Sequence, residues 1–162
     1  MKTLWAPWRM EYILGRKDLE CLFCVKPGEQ KDRENLILYR GACAYVIMNK
    51  YPYNNGHLMV VPYIHTSSLE NLRDADLLDI MKLTRFSIDC LAGAFHPEGF
   101  NVGVNIGEVA GAGIKEHLHV HVVPRWAGDS NFMTVTGEIR VMPEHLLDTY
   151  DKLNPFFSAD KP

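Results

Sequence analysis

Short apolar runs separated by polar turns dominate the chain before residue 63. The runs at 36–39 and 44–48 flank Arg40-Gly41, a pattern typical of a β-hairpin. A third run, 57–62, follows the turn-rich stretch 51–56 and ends in a proline. Because each run is short and aliphatic or β-branched, we predict three strands of an antiparallel meander.

Apolar residues next recur every three to four positions, which indicates one face of a long amphipathic helix. They are Leu77, Met81, Ile88, Leu91 and Phe95. The segment Ser67–Glu70 has the form of a capping box, so we expect the helix to begin there. Pro97 and Gly99 predict that it ends at about Phe95.

The remaining pattern predicts further strands and a second helix. Strands are expected at 100–106 and 116–123, joined by a small-residue loop at 107–113, with a short last strand after Gly137. Pro143 is placed to open a C-terminal helix that runs to about 153. We therefore predict an α+β fold with a five- to six-stranded antiparallel sheet, one long helix and one C-terminal helix.

The length of the chain predicts a single domain, residues 1–162. Residues 1–20 include Trp5 and Trp8. Because exposed tryptophans are costly, we expect this segment to pack on the domain or on a partner subunit.

Composition narrows the classes of partner. The 162 residues are 47% hydrophobic with a formal charge of −3, so no surface for a nucleic acid polymer is expected. No apolar run reaches about 18 residues, so no membrane-spanning segment is expected either. The spacing Cys21-Leu-Phe-Cys24, with Cys43 and Cys90 isolated, favours a reducing compartment, and we expect a cytoplasmic location.

Three of the seven histidines, His117, His119 and His121, alternate with apolar residues. A regular strand would place all three imidazoles on one face and direct the intervening residues into the core. A small domain rarely replaces apolar burial with polar groups unless a ligand, a metal or a reaction requires it. We therefore expect a functional site instead of three surface histidines.

Two kinds of chemistry fit this spacing. A single metal held by all three imidazoles fits poorly, because the positions spread over roughly 13 Å along a straight strand. Covalent catalysis at phosphorus fits better, since a neutral imidazole can attack without a separate base. His119 is the natural nucleophile, with a nearby carbonyl holding its other nitrogen protonated. His121 can donate to a non-bridging phosphate oxygen.

The run 117–123, His-Leu-His-Val-His-Val-Val, resembles the sequence motif of the histidine-triad family of nucleotide hydrolases and transferases. Asn49, eight residues before His57, and the stretch 124–129 extend the resemblance over most of residues 20–135. The resemblance implies a compact α+β fold, usually a homodimer whose sheets join, and a nucleotidyl-histidine intermediate.

The resemblance also implies roles for individual residues. His119 would be the nucleophile, His121 would stabilise the α-phosphate, and His57 would support the site from the facing strand. The candidates for substrate binding are Asn49 at the ribose, Asn105 at ribose or phosphate, Gly113 near the leaving group and Arg125 at phosphate.

The chain departs from that family at Gly113, where many members carry a glutamine. The segments 4–9 and 51–57 resemble most closely the bacterial diadenosine tetraphosphate phosphorylases of the family. This likeness implies a dinucleoside polyphosphate substrate, inorganic phosphate as a possible acceptor, Mg²⁺ bound with the polyphosphate, and a homodimer or tetramer. The alternatives are hydrolysis of a nucleoside phosphoramidate or an asymmetric dinucleotide, and nucleotide sensing with little turnover.

The pair Cys21 and Cys24 fits a structural zinc site, a redox pair or coincidence. Zinc needs two more ligands, and His65 and His117 are the candidates. Zinc-bearing relatives such as the galactose-1-phosphate uridylyltransferases resemble this arrangement. Four protein ligands would close the site, so the expected zinc is structural, whereas a zinc-dependent hydrolase would need an open position.

Three further features have two interpretations each. Arg125 either binds phosphate or forms a salt bridge with Asp129. The glycines of 107–113 either form an anion-binding nest or only permit a tight crossover. His96 and His145 are interpreted as a helix-end contact and a solvated residue, respectively, in preference to being ligands.

Overall fold

The computed structural model describes residues 20–129 and 143–159 of the chain. Over these residues the fold is α+β, with a five-stranded antiparallel sheet and helices, as predicted. The expected strand after Gly137 and the packing of residues 1–19 lie outside the described residues. The assignment of 1–162 to a single domain stays a prediction.

The sheet contains the predicted meander and two further strands. The strands are β1 (Ile37–Arg40), β2 (Ala44–Met48), β3 (Leu58–Pro62), β4 (Gly99–Val104) and β5 (Val120–Arg125). Their order is β1-β2-β3-β5-β4, and every neighbouring pair is antiparallel. β5 therefore lies between β3 and β4, and β4 is the outermost strand on that side of the described part of the sheet.

Helices accompany this sheet, and the two longest pack on it. The helices are the short α1 (Leu22–Val25) and α2 (Asp32–Asn35), the long α3 (Asp74–Phe95) and the C-terminal α4 (Leu146–Ala159). α3 packs across β2, β3 and β5, while α4 packs on α3 and β1. Between these helices Phe86 contacts Phe157, with ring centroids 5.2 Å apart. No helix in the described ranges has the length and apolar character needed to cross a membrane.

The long helix begins later than the capping box predicts. Ser68 does cap a helical turn, but its side chain accepts the Glu70 amide at the start of a three-residue 3₁₀ turn, Leu69–Asn71. α3 itself starts at Asp74, where the buried Asp76 carboxylate accepts the Arg73 backbone N–H at 3.0 Å. The predicted start was wrong because the turn that Ser68 caps does not continue into α3. The end at Phe95 is confirmed, with His96 in a left-handed conformation after it.

The histidine-rich strand is displaced from its predicted span of 116–123 and runs from Val120 to Arg125. Pro124 does not end it, because β3 pairs with β5 only as far as Val122. Beyond that point β4 is the only strand among the described residues that pairs with β5. Proline, which lacks an N–H, is tolerated there.

The later start of β5 means that His117 and His119 precede the strand, and only His121 of the three lies in it, contrary to the prediction. In this preceding segment the Leu118 amide donates to the Thr66 carbonyl at 2.6 Å.

α4 differs from the predicted span 143–153 at both ends. His145 precedes the helix, and its Nδ1 atom accepts the Leu147 amide at 3.4 Å, so it acts as a helix cap instead of a simply solvated residue. Pro155 lies inside the helix and does not end it.

Candidate active site and metal centre

The histidines lie on and beside β3 and β5, on the sheet face opposite α3. His57 immediately precedes β3, and His121 is the second residue of β5. His121 is paired with Met59 on one side and with Gly103 of β4 on the other. Because paired residues share a face of an antiparallel sheet, Gly103 and His121 lie on the same face. A Cβ added at Gly103 would have no other atom within 4 Å. Space is therefore open beside the His121 ring.

His57 has a fixed tautomer because of its surroundings. Its Nδ1 atom lies 3.0 Å from the backbone N–H of Tyr53 and 3.4 Å from the Asn49 Nδ2 atom. Both of these groups are donors, since the Asn49 amide oxygen accepts the Tyr51 N–H at 2.9 Å. Nδ1 of His57 must therefore be the acceptor nitrogen, which leaves the proton on Nε2.

That proton fixes the tautomer of His121 in turn. Nε2 of His57 lies 2.9 Å from Nδ1 of His121, so His57 donates and Nδ1 of His121 accepts. The neutral His121 ring then carries its own proton on Nε2. This buried nitrogen has no hydrogen-bond partner among the described residues. An oxygen of a bound ligand would satisfy it.

Burial and, to a smaller extent, the neighbouring His119 together lower the pKa of His121 to about 4. His121 is 8% exposed. The ring is accordingly neutral at pH 7 and donates a hydrogen bond without carrying a charge.

His119 is held by a backbone carbonyl, as predicted. Its Nδ1–H donates to the carbonyl of His117 at 2.8 Å, which leaves the lone pair on Nε2. Burial also lowers the pKa of His119, so this ring is neutral. Its centroid lies 4.7 Å from that of His121, with the planes at 76°. A neutral imidazole with an available lone pair thus lies beside a hydrogen-bond donor.

The four predicted metal ligands lie together. One donor atom from each of Cys21, Cys24, His65 and His117 falls within 4.8 Å of the others. Nδ1 of His117 lies 3.3 Å from Cys21 Sγ, 3.5 Å from Cys24 Sγ and 3.2 Å from His65 Nδ1. These four residues can hold a metal ion.

The donor set fits tetrahedral zinc. Bond lengths of about 2.0 Å to nitrogen and 2.3 Å to sulfur would place ligand atoms about 3.3–3.8 Å apart, close to the separations found. His117 is already in the tautomer required, because its Nε2–H donates to the Pro62 carbonyl at 2.9 Å and leaves Nδ1 with a lone pair. Burial and the adjacent Cys21 raise the pKa of Cys24, so a cation is needed to hold both thiolates.

The predicted substrate-binding residues lie in different elements around the triad histidines. Asn49 lies beside His57, as described above. Asn105 directly follows Val104, the residue of β4 that pairs with Val120. Gly113 is exposed in the loop between β4 and β5, with no atom within 4 Å of an added Cβ.

Arg125 lies four residues beyond His121 and is engaged with protein groups. Its guanidinium donates to both carboxylate oxygens of Asp129, at 2.6 and 2.9 Å, and to the Asn101 side-chain oxygen at 2.8 Å. The salt-bridge interpretation of Arg125 is therefore the one that this structure contains.

The glycine loop has positive φ angles at Gly107 (86°) and Gly111 (85°). Such angles strongly favour glycine, so these two residues are needed for the crossover between β4 and β5. An anion-binding role for the same loop stays a prediction.

Two aromatic residues that the sequence patterns did not single out contact the histidines. The Tyr53 ring lies 4.6 Å from the His57 ring and 5.5 Å from the His121 ring. Phe23 lies 5.2 Å from His119. For Phe23, the position between two candidate ligand cysteines could have indicated its place beside the site. The Tyr53 contact to His57 is made by a backbone amide, so the residue type could not have indicated it.

Comparison with known proteins gives concordant results. The sequence pattern of the HIT domain matches residues 30–128. The AP-4-A phosphorylase of Mycobacterium tuberculosis is 43% identical over 157 residues, covering 92% of this chain and 80% of that protein. The asymmetrical bis(5'-nucleosyl)-tetraphosphatase of Schizosaccharomyces pombe is 26% identical over 126 residues, covering 77% of this chain and 69% of that protein.

A solved structure shows the same fold. The Zn-bound histidine triad family protein of Mycobacterium smegmatis superposes with a TM-score of 0.70 at 23% identity. The match covers 86% of this chain and 94% of that one.

Proposed function

The chain belongs to the HIT domain family, and from that premise we propose that it is an enzyme that cleaves dinucleoside polyphosphates at the α-phosphate through a covalent nucleotidyl-His119 intermediate. The observation that carries the proposal is the pair of fixed tautomers. His119 retains a lone pair on Nε2, and His121 carries an unpartnered N–H beside it. The identity to AP-4-A phosphorylase supports diadenosine tetraphosphate as the substrate.

In the first step the His119 Nε2 lone pair attacks the α-phosphorus. An N–P bond forms, and the bond from phosphorus to the bridging oxygen breaks, so that its electron pair leaves with the remaining polyphosphate. The imidazole ring becomes positively charged, and its Nδ1–H···O=C bond to His117 stabilises that charge. The His121 Nε2–H donates to a non-bridging oxygen as charge accumulates there.

In the second step an oxygen of inorganic phosphate attacks the nucleotidyl phosphorus. The N–P bond breaks, and its electron pair returns to Nε2 of His119. Diadenosine tetraphosphate would thus give ATP from the first step and ADP from the second. Water as the acceptor would give AMP instead.

Asn49 and Asn105 are proposed to bind ribose and phosphate groups from opposite sides of the histidines. This is supported by the position of Asn49 beside His57 and of Asn105 at the end of β4. Gly113 would leave room near the leaving group. Arg125 would act indirectly by fixing the turn at Asp129, and Mg²⁺ would enter with the anionic polyphosphate.

The Cys21–Cys24–His65–His117 cluster is proposed to bind a structural zinc ion. Four protein donors leave no open position for a substrate, which separates this site from that of a zinc hydrolase. When bound, zinc would supply positive charge that holds the two thiolates. His117 would then fix the carbonyl that receives the His119 Nδ1–H.

We further propose a homodimer, with a tetramer as a larger form, in a reducing compartment such as the cytoplasm. The edge strand β4 supports the dimer, because exposed Val102 lies beside backbone that has no second strand among the described residues. All four cysteines are free thiols, which suits reducing conditions.

The test is to supply diadenosine tetraphosphate with and without inorganic phosphate and to identify the products. We expect ADP and ATP when phosphate is present, and no turnover by His119→Asn while nucleotide binding persists. AMP formation at an equal rate without phosphate would support the hydrolase alternative, for which the S. pombe relative is a precedent. Binding without any product over hours would support a sensor.

A further inference from the structure

Phe23 occupies a distinctive place in the fold, because it lies between the two cysteines of the metal cluster in α1. Its side chain is 2% exposed, although α1 has only four residues and Cys24 beside it is exposed. The Phe23 carbonyl accepts a hydrogen bond from the buried Tyr45 hydroxyl at 2.8 Å. The backbone at Phe23 is thus anchored to β2, while the flanking side chains form the metal cluster.

The Phe23 ring contacts two of the triad histidines. It meets the His117 ring nearly edge-on, with centroids 5.5 Å apart and planes at 78°. It also meets the His119 ring at 5.2 Å and 56°. Centroid separations of about 4.5–7 Å with inclined planes are the favourable range for aromatic pairs.

His119 is therefore restrained at two points. Its hydrogen bond to the His117 carbonyl fixes the direction of Nδ1 but leaves the ring plane free to tilt about that bond. Contact with the Phe23 ring opposes this tilt. We infer that Phe23 is a positioning residue that holds the His119 imidazole in the plane from which Nε2 meets phosphorus.

Both restraints depend on residues of the metal cluster. His117 supplies the carbonyl from its backbone and a candidate ligand from its ring, while Phe23 lies between the candidate ligands Cys21 and Cys24 in the sequence. Metal binding at the cluster therefore stabilises the orientation of His119 without contacting substrate. The catalytic significance of this role rests on the proposed function.

The test uses Phe23→Leu, which keeps apolar volume but removes the ring, together with Phe23→Ala. Phe157→Leu is a matched control, because Phe157 is equally buried (2% exposed) and packs on Phe86 of α3. We expect Phe23→Leu to retain its zinc content, to lower kcat about tenfold or more, and to leave KM within about twofold, because a small misplacement of the nucleophile costs rate and not binding. The control is expected to change neither constant.

A second readout does not depend on activity. The His119 Nδ1–H proton, held against the His117 carbonyl, should give a protected imidazole signal by NMR, assigned by its loss in His119→Asn. We expect this signal to broaden in Phe23→Leu and after chelation of zinc from the wild-type protein. An unchanged signal in both samples would overturn the positioning role, as would a rise in KM with unchanged kcat. If the wild-type protein shows no dinucleotide turnover, the proposed function fails and the NMR signal alone decides the role of Phe23.

Discussion

The Nε2 atom of His57 lies 2.9 Å from Nδ1 of His121, and both rings are buried. Because Nδ1 of His57 receives the Tyr53 amide, this contact can only run from His57 to His121. A backbone amide on the loop before β3 thereby decides which nitrogen of His121 carries the proton. The Nε2 atom of His121 therefore carries a proton and can donate to a bound ligand. In the other tautomer it would be a hydrogen-bond acceptor.

Replacement of His57 tests this chain of hydrogen bonds. In His57→Gln the amide nitrogen can take the place of Nε2 and still donate to His121, whereas His57→Asn is too short to do so. We expect His57→Asn to lower kcat about tenfold or more, with KM changed less, and His57→Gln to retain more of the activity. Steady-state kinetics on both variants measures the difference, and equal activity of the two would contradict the fixed tautomer.

The low pKa of His121 predicts a pH dependence of stability. The unfolded chain takes up a proton near pH 6.5, but the folded ring does so only near pH 4. Folding stability is therefore fully present above pH 6.5 and decreases as the pH falls toward 4, by up to about 1.4 kcal/mol per pH unit from this residue. Denaturant unfolding of the wild type and of His121→Asn at several pH values gives the two slopes.

The wild-type protein should lose stability more steeply than His121→Asn over that window. Release of a metal from the cluster at low pH would affect both proteins alike, so the difference between their slopes isolates His121. Parallel slopes would show that His121 is not buried in the neutral form.

Removal of the metal should act on stability before chemistry. A ligand that binds only the folded state stabilises it by about 4 kcal/mol at a thousand times its dissociation constant. We therefore expect chelation, or Cys24→Ser, to lower Tm by several degrees, with activity declining as the fold and the His119 orientation weaken. Immediate loss of turnover at unchanged Tm, restored at once by zinc, would indicate a catalytic metal. Cys43→Ser is a matched control, since Cys43 lies outside the cluster.

Gly113 gives a test of acceptor choice. Its backbone has no positive φ, and a side chain there would enter open space, so Gly113→Gln should fold normally. If Gly113 lies near the leaving group as proposed, a glutamine there would add a donor near the bridging oxygen. We expect the ratio of ADP to AMP among the products to fall, as measured by chromatography after reaction in phosphate buffer.

The control for that variant is Gly28→Gln, which also enters open space but lies in the turn after α1. It should leave the product ratio unchanged. An unchanged ratio in Gly113→Gln as well would place the choice of acceptor elsewhere in the site.

Helices and strands were predicted well wherever the spacing of apolar residues and the position of turn residues indicate the same boundary. The meander of β1, β2 and β3 and the end of α3 at Phe95 follow directly from such local signals. The start of α3 and the span of β5 could not be predicted in this way, because each depends on residues outside the local pattern. The turn that Ser68 caps does not continue into the long helix. Pro124 is tolerated in β5 because the pairing between β3 and β5 ends at Val122.

The same distinction applies to the site. The four candidate metal ligands were predictable, because few residue types bind zinc. A carbonyl acceptor for His119 was predictable because one ring nitrogen of the nucleophile has to be held protonated. The donor to His57 is a backbone amide of Tyr53, and any residue type has one. The placement of Phe23 against His119 likewise depends on how α1 lies on the sheet.

The central claim is that His119 becomes covalently nucleotidylated. The most direct measurement is mass spectrometry of the enzyme, quenched within one turnover after mixing with diadenosine tetraphosphate in phosphate-free buffer. The predicted result is the added mass of one adenylyl group, AMP less water, on the peptide that contains His119. The adduct should be absent from His119→Asn and should be discharged as ADP when phosphate is added. Turnover at the wild-type rate with no adduct on that peptide would contradict the mechanism.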